Sequence, residues 1–216
     1  MNKKMIFIVS GILLLVFFAL SSRYIKQGGM RDTDFAVTVK IQERIDTSSR
    51  LRAARLVGEV MEGSTFLASP EVSVIAVLVI TVVAAFDRKK KRIRWTAVTI
   101  PIVFALLVLG EMYGKNVVHH PAPPFFMIKN PATIFPKYYI NDEFSYPSGH
   151  AARAMFLAMI LWFITKKKKL GTLLTLGLYV GLVGLSRLYL GHHWLSDVFG
   201  GVLLGSACAL LGAVVL

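Results

Sequence analysis

The chain has 216 residues, of which 55% are hydrophobic and only 17% charged, with a mean hydropathy of +0.62. Average soluble proteins are about 25% charged, so composition excludes a soluble globular domain, and the length fits a single domain over residues 1–216. Twenty-five Lys and Arg against 12 Asp and Glu leave a net charge of +13, the mark of either a nucleic-acid surface or topogenic charge beside a membrane. The lone Cys208 permits neither an intramolecular disulfide nor a cysteine metal cluster.

Six apolar stretches are long enough to cross roughly 30 Å of hydrocarbon: Met5 to Ser22, Phe66 to Phe86, Trp95 to Tyr113, Gly149 to Thr165, Leu170 to Leu190 and Trp194 to Leu216. They predict an all-α fold, a bundle of six transmembrane helices. The first follows Lys3 and Lys4 and contains Ala19-Leu20-Ser21, as a signal peptide would, but its apolar core exceeds the usual length and a retained anchor is expected.

The first connection, Arg23 to Thr65, has eight basic and six acidic residues and little net bias. Its spaced apolar residues, Phe35, Val39, Ile45, Leu51, Leu56 and Val60, suit one helix face and predict amphipathic helices on the membrane interface between the first two spans. Gly63 to Thr65 are expected to turn the chain into the second span, with Pro70 tolerated in its first turn.

The second connection holds Arg88, Lys89, Lys90, Lys91, Arg92 and Arg94, and the fourth Lys166 to Lys169. A nucleic-acid patch needs basic residues gathered on a folded surface rather than in short turns between apolar spans, so these clusters are read as cytoplasmic. Both termini then face the cytoplasm and the first, third and fifth connections face outward, in a multi-pass protein of the plasma membrane. No nucleic-acid partner and no obligate protein partner is expected.

The third connection, Gly114 to Tyr146, carries prolines 121, 123, 124, 131 and 136 with Pro147 just beyond, and predicts an extended, stiffened loop. Its aromatics, Phe125, Phe126, Phe135, Tyr138, Tyr139, Phe144 and Tyr146, read as an interfacial belt or as packing against helix ends.

Polar residues at span ends need a reason, because burying them in hydrocarbon is expensive. Lys115 follows span three, Ser148, Gly149 and His150 open span four, Ser186 and Arg187 close span five, and His193 and Asp197 open span six. Alternation of the spans brings all of them to one outer interface. His193 and Asp197, at i and i+4, share a helix face, where a carboxylate accepts the proton of one ring nitrogen and leaves the other as nucleophile or base. His150 adds a second imidazole. Lys115, Arg187 and the Ser148-Gly149 backbone at a helix N-terminus supply donors suited to phosphate. Two histidines with an anion cradle point to phosphoryl transfer through a phosphohistidine. Singly, each has a plainer reading: a helix cap for a histidine or for Lys115, a snorkelling side chain for Arg187. A zinc site at His150, His193 and Asp197 is the other joint reading, and Lys115 and Arg187 would repel its cation.

Pro147-Ser148-Gly149-His150, and Ser186-Arg187 followed by five residues, His193, three residues and Asp197, resemble the second and third motifs of the type 2 phosphatidic acid phosphatase family of integral-membrane lipid phosphatases. The resemblance implies that His193 is the nucleophile, Asp197 orients it, His150 protonates the leaving alcohol, and Lys115, Ser148, Gly149 and Arg187 hold phosphate oxygens, with no metal or other cofactor. It implies a lipid phosphate substrate at the outer leaflet. Phosphatidylglycerophosphate is favoured; the alternatives are undecaprenyl diphosphate, or retained binding with impaired turnover. That last reading arises because the family's first motif runs lysine, six residues, Arg-Pro. Here Lys115 is followed by six residues and then Ala122-Pro123, so an arginine contact to phosphate is missing. His119, His120 and Lys129 lie near enough in sequence to substitute in part, or are ordinary interfacial polarity.

Overall fold

The computed structural model describes residues 2–47, 51–87, 92–129, 143–165 and 169–214. Among these lie eight α-helices: α1 (Lys3–Lys26), α2 (Arg31–Asp46), α3 (Leu51–Phe66), α4 (Pro70–Ala85), α5 (Thr99–Val118), α6 (Gly149–Ile164), α7 (Leu170–Tyr189) and α8 (Leu195–Ala213). Phe86–Asp87 pairs antiparallel with Arg92–Ile93 to close the turn between α4 and α5. Most of the expected basic cluster in that turn, like Lys166 to Lys168 and the aromatics Phe135, Tyr138 and Tyr139, lies outside the described residues.

Every stretch expected to span is helical, but the helices are not equivalent. Four are long and apolar enough to cross a membrane alone: α1, α5 with its preceding 3-10 turn, α7 and α8. The second expected span starts later than the sequence indicates, because Gly63, Ser64 and Thr65 stay in α3 and the chain breaks at Leu67 to Ser69. Ser69 Oγ accepts the Val72 N–H at 3.3 Å and Pro70 takes the first helical position, the two devices that favour a fresh helix start there. Arg55–Phe66 and Pro70–Ala85 meet the length condition only as a pair bent by 54°. The fourth stretch, α6, has 16 residues, about 24 Å at ~1.5 Å per residue, short of the hydrocarbon thickness.

The innermost helix is α8: 67% of its apolar window is buried, against 6% for α1. Around it, Ile100, Phe104 and Leu107 of α5, Ala152, Phe156 and Ile160 of α6, and Leu204, Cys208 and Ala209 of α8 form the main core. The closest approach is between α6 and α8. A Cβ on Gly201 would strike the Ser148 carbonyl oxygen and one on Gly205 the Ala152 carbonyl, so only glycine lets the two backbones meet. α1 lies along α8, with Phe17 edge-on to Phe199 and Phe18 stacked on Tyr146, as an integral part of the bundle. Leu13 and Leu20 of α1, Ile75 and Val82 of α4, Leu109 of α5 and Leu174 of α7 are exposed, the surface a lipid-facing bundle presents.

The first connection forms α2 and α3, whose Ile41, Ile45, Val57 and Met61 pack against Tyr189 and Leu190 while other apolar residues face outward. Phe35, Val39, Leu56 and Val60 are exposed, whereas the polar Asp34 and Thr38 of α2 are buried at 1% and 0%. Asp34 turns inward because its carboxylate accepts the Ser196 N–H at 2.8 Å and the Ser196 Oγ–H at 2.7 Å, docking α2 on the start of α8.

Candidate functional site

One end of the bundle gathers the polar residues singled out above. Helix α5 delivers Lys115 in its last turn and ends at His119, whose left-handed φ of 53° turns the chain into the loop. The described part of that loop is extended up to a 3-10 turn at Phe125–Met127, and residues 130–142 lie outside the described residues. Pro121 bridges Phe144, Ala122 N–H donates to the Glu143 carbonyl, and Trp194 Nε1 donates to the Pro121 carbonyl at 2.8 Å. Helix α6 begins at Gly149 with Ser148 before it. The Ser148 N–H donates to the Asp197 carbonyl at 2.9 Å, so the starts of α6 and α8 are tied backbone to backbone. Helix α7 ends with Ser186 and Arg187, and the Arg187 carbonyl accepts from the His192 and His193 N–H groups, which folds the two histidines back over the helix end.

At the centre is the Asp197 carboxylate, fully buried in the first turn of α8. Oδ2 accepts the Trp194 N–H at 2.8 Å and lies 3.5 Å from His193 Nδ1; Oδ1 lies 2.9 Å from His120 Nδ1. A carboxylate only accepts, so His120 turns an Nδ1–H toward it, while His193 Nδ1 stands in ion-pair range of Oδ2 without hydrogen-bond geometry; a proton on that nitrogen leaves Nε2 with its lone pair. His193 is 5% exposed. Burial holds its imidazole below the usual histidine range; Asp197 opposes this through hydrogen bonding and charge, and Arg187 and Lys115 add to it.

His150, in the first turn of α6, lies within electrostatic range of both His193 and Arg187. Arg187 is 3% exposed and its Nη1 reaches Thr65 Oγ1 at 3.5 Å, while Thr65 Oγ1 and Ser186 Oγ stand 2.9 Å apart. Ser148 Oγ is buried with no hydrogen-bond partner among the described residues. Lys115 Nζ lies 4.0 Å from Glu111 Oε1. Thus His150, His193, Asp197, Arg187, Lys115, Ser148 and Gly149 are brought to one place from four helices. The arrangement has an imidazole whose burial favours its neutral form, a second imidazole within electrostatic range, and cationic and hydroxyl donors around them, groups able to attack phosphorus and hold its oxygens.

Several residues of this site lie outside the expected set. Glu111 stands so close to Gly149 that a Cβ there would strike its carboxylate, and Arg153 Nη1 donates to Glu111 Oε2 at 2.9 Å while Nη2 lies 3.5 Å from His150 Nδ1. Both are charges inside apolar stretches, a signal the sequence does contain. Thr65 and Asp34 have no such signal. Two substitutes considered for the missing arginine are accounted for differently: His120 stands behind Asp197, and Lys129 pairs with Asp46 and sits 5.1 Å over the Tyr189 ring. Tyr146, expected in an aromatic belt, is fully buried and receives a hydrogen bond from Ser22 Oγ. Among the described residues no group of three or more His, Cys, Asp or Glu is arranged to hold a metal ion.

The sequence profile of the PAP2 superfamily matches residues 102–216, which include every residue of the site except Asp34 and Thr65. Phosphatidylglycerophosphatase B of Bacillus subtilis (strain 168) is 28% identical over 200 residues, covering 89% of this chain and 87% of the relative. Undecaprenyl-diphosphatase of Sulfolobus acidocaldarius is 37% identical over 124 residues, covering 56% of this chain and 55% of that one. The crystal structure of the transmembrane PAP2-type phosphatidylglycerolphosphate phosphatase from Bacillus subtilis superposes with a TM-score of 0.71 at 25% identity over 94% of both chains. Aquifex aeolicus LpxE shares the fold, with a TM-score of 0.57 at 22% identity over 83% of this chain and 96% of that one.

Proposed function

The chain belongs to the PAP2 superfamily, and from that premise we propose that this lipid phosphatase removes the terminal phosphate of phosphatidylglycerophosphate through a phosphohistidine on His193. The observation that carries the reading is the Asp197 carboxylate 3.5 Å from His193 Nδ1, with Arg187 and His150 within electrostatic range of the ring. The His193 Nε2 lone pair forms a bond to phosphorus as the bond to the glycerol oxygen breaks. His150 gives its proton to that oxygen, and Asp197 stabilises the imidazolium that forms. Water then yields a proton to His150, its oxygen bonds to phosphorus, and the N–P bond breaks to release inorganic phosphate. Lys115, Arg187, the Ser148 hydroxyl and the Gly149 backbone hold the oxygens over which charge spreads. Those cations supply the charge stabilisation, so turnover needs no metal or other cofactor. Ala122 leaves one guanidinium contact unmade and lowers the rate without abolishing it.

Phosphatidylglycerophosphate is preferred because the resemblance to the Bacillus subtilis relatives runs the length of both chains. Undecaprenyl diphosphate is the second reading, favoured by the higher identity of the undecaprenyl-diphosphatase over its shorter match. The chain acts as one domain with six spans, the shorter helices α4 and α6 completing the four long ones. Its termini are cytoplasmic, α2 and α3 lie on the outer interface, and the site opens at the outer face of the plasma membrane with no obligate protein partner.

The test is phosphate release from both lipids in detergent containing EDTA. Release from phosphatidylglycerophosphate that exceeds release from undecaprenyl diphosphate and disappears in His193→Ala is the expected result; dependence on added metal, or release surviving His193→Ala, contradicts it. In a Cys208→Ala background, cysteines at Phe126 and Lys169 label from opposite faces of the membrane, and labelling from one face contradicts the topology.

A further inference from the structure

The Asp197 carboxylate has a second imidazole on its far side, and that imidazole has a second carboxylate behind it. His120 Nδ1 lies 2.9 Å from Asp197 Oδ1, and His120 Nε2 lies 3.7 Å from Asp34 Oδ2. All three groups are buried: Asp34 is 1% exposed, His120 8% and Asp197 0%. Asp34 is itself fixed by both the Ser196 N–H and Oγ–H, one residue before Asp197. The chain from α2 to the nucleophile therefore reads Asp34, His120, Asp197, His193, joining α2 and the loop after α5 to the start of α8.

Chemistry constrains this chain tightly. His120 Nδ1 donates to Asp197 Oδ1, which turns the opposite edge of the ring, at Nε2, toward Asp34 Oδ2 at ion-pair range. Burial pushes the Asp34 carboxyl up from the ordinary carboxylate value, and the two Ser196 hydrogen bonds oppose it. Asp197 is thus gripped on Oδ1 by a ring whose rotation is fixed at its other end, leaving Oδ2 aimed at Trp194 N–H and His193.

We propose that Asp34 and His120 are positioning residues for phosphoryl transfer, forming a carboxylate–imidazole–carboxylate relay that holds the Asp197 carboxylate at the angle and distance His193 needs. The inference rests on the functional reading above. It assigns His120 away from phosphate binding, since the ring faces the back of Asp197, and it gives α2 a role in the reaction through its single inward carboxylate.

The test is a pair of near-isosteric substitutions in the full chain in detergent. In His120→Asn the amide N–H falls where Nδ1–H stood and can still hold Asp197, whereas in His120→Gln the amide reaches toward Asp34 and leaves Asp197 free. The relay predicts that kcat on phosphatidylglycerophosphate falls at least about tenfold in His120→Gln but stays within about threefold of wild type in His120→Asn, with KM unchanged within about twofold in both. Equal kcat in the two variants, or a change carried by KM instead, overturns the proposal. Imidazole ¹⁵N spectra of His193 supply a readout independent of turnover: the Nδ1 resonance shifts in His120→Gln and not in His120→Asn. If wild type releases no phosphate from the lipid, the functional reading fails, while the ¹⁵N comparison still decides the relay; unchanged His193 signals in both variants refute it.

Discussion

Arg153 Nη1 donates to Glu111 Oε2 at 2.9 Å, and the same guanidinium donates through Nε to the Ala68 carbonyl at 3.1 Å. One side chain thereby ties the last turns of α5 to the start of α6 and satisfies a carbonyl at the break between α3 and α4, where hydrocarbon offers no alternative donor. Removing Arg153 leaves the little-exposed Glu111 carboxylate with only the longer, 4.0 Å contact to Lys115. Arg153→Ala should therefore cost about 3–5 kcal/mol of stability, and replacing both residues with apolar ones of similar volume should cost much less. Denaturant titration in detergent measures both; additive losses in the double variant would contradict the pairing.

Gly205 predicts a second, purely steric effect. Its Cβ would meet the Ala152 carbonyl, so Gly205→Ala forces α6 and α8 apart and should lose about 1–3 kcal/mol through overpacking. Because the Ser148 N–H is bonded to the Asp197 carbonyl, the same shift should lower kcat. Gly177→Ala, with open space beside it, should instead gain up to about 1 kcal/mol from helix propensity. Equal effects at the two positions would show that the α6–α8 contact is not the tight one.

The acid limb of activity follows His193. The ring must be neutral to attack, and burial holds it below the ordinary histidine value of 6.5, so activity should persist as pH falls past 6.5 and fail only through the depressed value. Asp197 works against burial by favouring the charged ring. Asp197→Asn should therefore move the acid limb to lower pH while also reducing kcat, since the imidazolium formed on attack loses its counter-charge. The profile of kcat/KM against pH for both proteins on one substrate checks this, because substrate ionisation is common to both. An acid limb displaced upward in the variant would contradict the electrostatics.

How much of this was legible in sequence depends on how far apart the cooperating residues lie. His193 and Asp197 are separated by one helical turn, and Ser148 to His150 are contiguous, so local spacing announces them. Lys115 was legible as a cation closing an apolar stretch. His120 and Asp34 were not, because their meaning comes from α2 folding back over the start of α8, a contact spanning 162 residues between Asp34 and Ser196. Asp34 is one of six acids in a polar connection, and nothing in its neighbours marks it as the one that turns inward. The span count fared similarly. Hydropathy locates six apolar stretches, but it cannot register that Ser69 and Pro70 restart a helix after a sharp bend or that α6 stops after 16 residues.

Ala122 carries a prediction with a definite sign. The loop around it is pinned by Trp194 Nε1 on the Pro121 carbonyl and by the Ala122 N–H on the Glu143 carbonyl, so the position is held beside the site by bonds that a side-chain change leaves intact. One preorganised donor to the transition state is worth about 10²- to 10³-fold, and Ala122→Arg should recover at least about tenfold in kcat/KM, mainly through kcat. Neither His120 nor Lys129 stands where it would already supply that contact. An arginine variant no faster than wild type on either candidate lipid would show that the missing cation is replaced by another group.

The central claim, that His193 carries the phosphoryl group, is tested most directly by trapping it. Wild type and His150→Ala mixed with radiolabelled lipid phosphate and quenched in alkali, where phosphohistidine survives, should yield labelled protein, most of it in His150→Ala because water activation is impaired. Peptide mapping should place the label on His193, and His193→Ala should carry none. Label that persists in His193→Ala, or that maps to another residue, would contradict the account.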